Sequence, residues 1–156
     1  MKLSFMVSAI ALCVFVFFSN NTFAQSKILP RTIITTDGEV DDQDSFIRLL
    51  LYSNEMNIEG LIYSSSMWHY KGDGKGTKFV SEMEMTKKIY GERTNLRWAG
   101  TTWIQDLLDQ YAKVYPNLIL HSSTYPKPEY LRSLVKVGNI EFEGEMEKIT
   151  EGSEWI

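Results

Sequence analysis

The chain is 156 residues long, 44% hydrophobic and 13% aromatic, a globular composition that excludes a disordered or low-complexity protein. Its 20 acidic side chains against 16 basic ones give a net charge of −4, which argues against a nucleic-acid binder, because such proteins need a basic face to displace counterions from phosphate. The single cysteine, Cys13, leaves no disulfide framework and no thiolate zinc site.

Residues 1–24 read as a secretory signal peptide. Lys2 supplies a positive start, an apolar run extends from Phe5 to Phe18, and Thr22-Phe23-Ala24 offers a small-residue cleavage site. The run is shorter than the roughly 20 apolar residues of a membrane-spanning helix, and Cys13 lies inside it rather than at its end, which argues against a lipid anchor. Cleavage would remove both Cys13 and Lys2, leaving an exported chain, secreted or periplasmic, with no membrane span.

Arg31-Thr32-Ile33-Ile34-Thr35-Thr36 is rich in β-branched residues and follows Pro30, so it reads as a buried strand. An acidic turn, Asp37 to Asp42, breaks it. Phe46, Ile47, Leu49, Leu50, Leu51 and Tyr52 then recur at helical intervals from about Asp42 to Asn54. Leu61-Ile62-Tyr63-Ser64-Ser65-Ser66 follows as a second strand whose end turns polar. Strand, helix and strand at this spacing form a βαβ unit, whose two strands lie parallel and adjacent.

Gly72, Gly74 and Gly76 among lysines mark a flexible surface loop. A polar helix is predicted from about Lys78 to Tyr90, and a short third strand near Leu96–Ala99. Thr102–Val114 is amphipathic, with Trp103, Ile104, Leu107, Leu108 and Tyr111 on one face. Pro128 suits a first helical position and Gly138 the residue after a helix end, framing a helix over Pro128–Lys136. The expected class is α/β: an open, mainly parallel sheet with helices on both faces and a Rossmann-like core.

The chemistry concentrates in Asp37-Gly38-Glu39-Val40-Asp41-Asp42. Clustered carboxylates repel one another unless positive charge neutralises them. A following helix N-terminus supplies only about half a charge, whereas a hard divalent cation such as calcium suits grouped oxygens. Asp41 or Asp42 alone would read as an ordinary helix cap; four acids together read as a cation site. An EF-hand is excluded, because positions six and twelve from Asp37 hold Asp42 and Arg48. A dehalogenase-type phosphatase is excluded as well, since Thr35 stands where its nucleophilic aspartate would be.

The acidic segment resembles the nucleoside hydrolase signature Asp-X-Asp-X-X-X-Asp-Asp, with Asp37, Asp41 and Asp42 at the last three acidic positions and Thr35 at the first. The segments TTDGEVDDQDS, IEGLIYSSS, TTWIQDLLDQY, YPNL and GNIEFEGEME resemble a secreted branch, the nucleoside-hydrolase-like domain of cellulose-binding proteins. The resemblance implies one domain over residues 25–156, incomplete at its C-terminal end. It also implies calcium-dependent hydrolysis of N-glycosyl bonds in a nucleoside or related glycoside. In that scheme Asp37 binds calcium and takes a proton from water, Asp42 holds the metal, and Asp41 orients sugar hydroxyls. His69 falls where the family places a sugar-contacting asparagine; an ordinary surface histidine is the competing reading, as a loop anchor is for Trp68. The rival function is an exported carbohydrate (cellulose) binding domain that keeps the fold without catalysis. Self-association is left open.

Overall fold

The computed structural model describes residues 28–156; the leader expected at residues 1–24 lies outside them. Strand β1 (Arg31–Thr36) and strand β2 (Asn57–Tyr63) are joined by helix α1 (Val40–Leu51) and a single 3-10 turn, Ser53–Glu55. They pair in parallel, with Ile34 opposite Leu61 and Thr36 opposite Tyr63. The βαβ unit is therefore as expected, although β2 begins at Asn57 rather than Leu61 and stops before the serines. An irregularity between Thr32 and Ile33 shifts the register, so that Ile58 and Gly60 oppose consecutive residues. Such a bulge adds one residue and resets the alternation of faces, which lets Ile58, Leu61 and Tyr63 all enter the same core.

The third strand is not where the sequence places it. Strand β3 is Val135–Val137, parallel to β2 with Leu61 opposite Val135, and the sheet order is β1-β2-β3. The segment expected as a strand, Leu96–Ala99, makes only bridges from Leu96 and Arg97 to Tyr70. The predicted helix over Pro128–Lys136 ends earlier, as α4 (Pro128–Ser133), because β-branched Val135 and Val137 complete the free edge of β2 instead. Gly138 consequently follows a strand, not a helix. Its N–H donates to the Tyr63 carbonyl at 2.8 Å, and a Cβ there would sit 2.8 Å from that same oxygen, so only glycine lets the backbones approach.

The polar helix is also shorter than predicted: α2 is Glu84–Tyr90. Phe79 exchanges backbone hydrogen bonds with Arg93 instead of turning into a helix, and its ring stacks on Phe142 at 5.2 Å. Part of the glycine loop is braced, with Asp73 accepting from the N–H of Lys75 at 2.9 Å and from the hydroxyl of Thr77 at 2.5 Å.

Helix α3 (Trp103–His121) runs past its predicted end at Val114 and through Pro116. Trp103, Ile104, Leu108 and Tyr111 are buried in it, as its amphipathic pattern indicates. Pro116 lacks the N–H that would bond the Ala112 carbonyl, and interior proline costs a helix roughly 3 kcal/mol. Pro116→Ala is therefore expected to stabilise the protein by roughly 1–3 kcal/mol, read as a rise in the urea midpoint; an unchanged or lower midpoint would show that the ring makes compensating contacts.

The main core joins Phe46 and Leu50 of α1, Ile58, Leu61 and Tyr63 of β2, and Trp103, Ile104, Leu108 and Tyr111 of α3. Phe46 and Tyr63 both meet the Trp103 ring edge-on, at 5.4 and 5.8 Å. The Tyr63 hydroxyl oxygen accepts from the Ile104 N–H at 3.0 Å, satisfying one of the unpaired donors at the start of α3. Helix α5 (Glu151–Trp155) packs along β2 and β3. Its first turn is closed by a reciprocal Thr150–Ser153 capping box, and Trp155 Nε1 donates to the Glu59 carbonyl at 2.6 Å. This parallel sheet flanked by helices is the α/β architecture expected.

Candidate functional site

The acidic turn leaves β1 at the C-terminal edge of the sheet, where open parallel sheets bind ligands. Gly38 makes this geometry possible. Its φ is +81°, and a Cβ would lie 2.5 Å from Trp103 Nε1 and 2.9 Å from Ala99 Cβ, so both the backbone and the packing require glycine. Helix α1 begins at Val40, so Asp41 and Asp42 sit in its first turn rather than before it. Neither is the N-cap. That position belongs to Glu39, whose side chain makes no capping bond.

Asp42 has a different task. Its Oδ2 accepts from the Thr36 hydroxyl at 2.7 Å, the Asp37 N–H at 3.1 Å and the Gly38 N–H at 3.3 Å. One carboxylate oxygen thus fastens the start of α1 to the end of β1. Gln43 adds a bond from Nε2 to the Gly38 carbonyl at 3.0 Å. Burial raises the Asp42 pKa, but this is outweighed by hydrogen bonds from Asp37, Thr36 and the two backbone amides, which hold the carboxyl below its usual range. Asp42 therefore stays ionised.

Asp37 behaves oppositely. Burial, then the hydrogen bond to Asp42 and the charges of Asp42 and Glu39, push its pKa up to about 6, against a lowering contact from Ser66. Two carboxyls in one site divide their proton affinities in this way, one raised and one lowered. Among the described residues, no lysine or arginine forms an ion pair with Asp37, Glu39 or Asp42; the titratable nitrogen beside Asp37 and Glu39 is that of His69.

His69 is not a surface residue. It is 4% exposed, held in a tight turn in which Ser66 N–H donates to the His69 carbonyl at 2.9 Å, and the Ser66 hydroxyl accepts from the amides of Trp68 at 3.1 Å and His69 at 3.2 Å. The His69 Nδ1 atom lies 3.3 Å from Glu39 Oε1 and 3.6 Å from Asp37 Oδ2, yet it is buried without a hydrogen-bond partner. Burial lowers the imidazole pKa, with the Glu39 charge opposing and Arg97 assisting, so His69 is neutral at pH 7.

The fold brings together Asp37, Glu39 and His69, with one ligand atom from each lying within 4.8 Å of the others. Asp42 adjoins Asp37. Asp41 is exposed on α1, and Thr35 is exposed on β1 opposite Ile62. Trp68 is half-buried, edge-on to Tyr90 at 6.0 Å. His121 ends α3 and is exposed. Glu39 and Ser66 are the participants that sequence reasoning did not assign. Glu39 was visible as one acid of the turn, and Ser66 only as part of a polar strand end.

The family model described as "Cellulose-binding Sde182, nucleoside hydrolase-like domain" matches residues 31–156. The chain belongs to that family. A solved structure described as a nucleoside hydrolase-related hypothetical protein from Saccharophagus degradans, associated with carbohydrate metabolism, is 27% identical and superposes with a TM-score of 0.58. The match covers 82% of this chain and 26% of that one. Comparison with curated proteins found no match. This Sde182-type nucleoside-hydrolase-like domain therefore carries the acidic strand tip at the C-terminal edge of its sheet. Among its described residues, no helix is long and apolar enough to cross a membrane.

Proposed function

We propose that this domain contributes the calcium-binding half of an exported N-glycosyl hydrolase site, acting on a nucleoside or related glycoside. The observation that carries the reading is the Asp37–Asp42 pair: adjoining carboxyls, one pushed up to about 6 and one held low, at the ligand-binding edge of a parallel sheet. The donor chemistry fits calcium. Asp37, Asp42 and Glu39 offer hard carboxylate oxygens whose mutual repulsion a divalent ion would relieve. Asp37 and Asp42 are the assigned ligands. Once bound, the ion would lower the pKa of water and orient it.

The chain's own residues supply the rest. Asp37 at the strand tip would accept a proton from the attacking water as general base. Asp42, fixed by Thr36 and two amides, stays ionised and keeps the tip from opening. Its charge also favours a sugar that becomes cationic. Exposed Asp41 stands at the rim, where a carboxylate can accept from sugar hydroxyls, and neutral His69 can contact the sugar without repelling that cation. The leader-like residues 1–24 support export.

A second reading, carbohydrate binding without turnover, is favoured by the cellulose-binding description of the family and by Thr35 standing where the nucleoside hydrolase signature has its outer acid. Two assays on the full-length protein separate the readings. Release of free ribose from inosine or uridine, dependent on calcium and lost by at least about a hundredfold in Asp37→Ala, is the expected result for hydrolysis. Retention on insoluble cellulose with no ribose release would replace it with the binding reading.

A further inference from the structure

The Asp37–Asp42 pair does not account for the buried Nδ1 of His69 beside Glu39. A buried imidazole nitrogen without a hydrogen-bond partner is costly, and Nδ1 of His69 is such an atom. It is directed at two carboxylates, 3.3 Å from Glu39 and 3.6 Å from Asp37. A metal bound at about 2.0–2.1 Å in tetrahedral geometry has ligand atoms about 3.4 Å apart. Both imidazole–carboxylate separations bracket that spacing, and Asp37 and Glu39 lie within 4.8 Å of each other. The turn that presents His69 is locked by Ser66, and Glu39 is carried on the first residue before α1, so the nitrogen and the two oxygens sit on braced backbone.

We propose that Asp37, Glu39 and His69 form a second ligand set that takes a borderline divalent ion of the zinc class, in competition with the calcium assigned to Asp37 and Asp42. One nitrogen and two carboxylate oxygens suit such an ion, whereas calcium prefers oxygen alone. Because Asp37 belongs to both sets, the two ions compete for its carboxylate. Zinc at this site would engage the carboxylate that serves as base and so oppose hydrolysis. The competition rests on the reading above that Asp37 is a calcium ligand; uptake of zinc does not.

Titration calorimetry of the purified protein with zinc chloride alone, calcium chloride alone, and zinc into calcium-loaded protein tests this. Cobalt(II) serves as a spectroscopic stand-in, its visible absorption reporting nitrogen ligation. One zinc per chain is expected, weakened by at least about tenfold in both His69→Asn and Glu39→Gln, with calcium displaced by zinc. Glu39 is half-buried, so Glu39→Gln keeps the test valid should His69→Asn disturb folding. Absence of zinc uptake, or uptake that survives both substitutions, would overturn the proposal while leaving calcium binding to be judged on its own titration. Zinc uptake with these mutant effects but no calcium uptake would sustain the ligand set and remove the calcium reading. Additive binding of both ions would overturn the proposed competition.

Discussion

Asp37→Asn is expected to stabilise the calcium-free protein at pH 7 and to abolish stabilisation by calcium. The sign follows from the raised pKa. Asp37 titrates near 6 in the folded chain against an ordinary 3.8, so between those values the folded state binds more protons than the unfolded state and stability falls as pH rises. Above pH 6 the penalty is complete, on the order of 3 kcal/mol, and the neutral amide avoids it. Asp42 acts in the opposite sense. Its lowered pKa contributes stability that is present above 3.8 and lost as pH falls below it, so the window between pH 4 and 6 belongs to Asp37. With calcium at a thousandfold excess over its dissociation constant, the parent protein gains about 4.1 kcal/mol and the variant gains nothing. Thermal melts in chelator and in calcium should therefore rank the two proteins in opposite order. A variant less stable in chelator, or one that responds to calcium as the parent does, would contradict this assignment.

Trp103→Ala is expected to cost about 3–5 kcal/mol, the range for removing a large buried aromatic side chain. Trp103 is 7% exposed, it receives the edges or faces of Phe46 and Tyr63, and its ring nitrogen is the wall against which Gly38 rests. One side chain thus connects α1, β2 and α3 and forms the floor beneath the acidic tip. The cavity should release Gly38 and loosen the placement of Asp37, so metal affinity should fall along with stability. Urea unfolding followed by fluorescence of the remaining tryptophans checks the first effect. A loss below 1 kcal/mol would mean that the tip is positioned by the Asp42 bonds alone.

Local pattern was sufficient for the front of the molecule. The β-branched run 31–36, the apolar helix and the second run specify a βαβ unit almost independently of anything else, and the acidic turn falls at its functional edge by topology. The amphipathic face of α3 was equally plain because Trp103, Ile104, Leu108 and Tyr111 keep one stripe. What eluded local reading depends on distant partners. Val135–Val137 has too few residues to announce a strand and becomes one by pairing with β2. Phe79 is withdrawn from a polar helix by Phe142, far along the chain. Helix α3 runs on through Pro116, beyond the end at Val114 that its amphipathic stripe indicated.

The site divides in the same manner. Asp37 and Asp42 could be named from spacing, because their separation places both where β1 meets α1. The burial of His69 could not, since it arises from the Ser66 turn meeting the acidic tip across the sheet edge. Nor could the opposed proton affinities of the pair, which follow from the burial of Asp37 and from Thr36 and two backbone amides all choosing the same oxygen of Asp42.

The most direct measurement is a calorimetric titration of the purified, chelator-treated protein with calcium at pH 7, beside Asp37→Ala. Saturable uptake of one ion per chain, absent in the substituted protein, is the expected result. No heat above dilution, or identical uptake by both proteins, would contradict the view that these carboxylates are gathered to hold a cation.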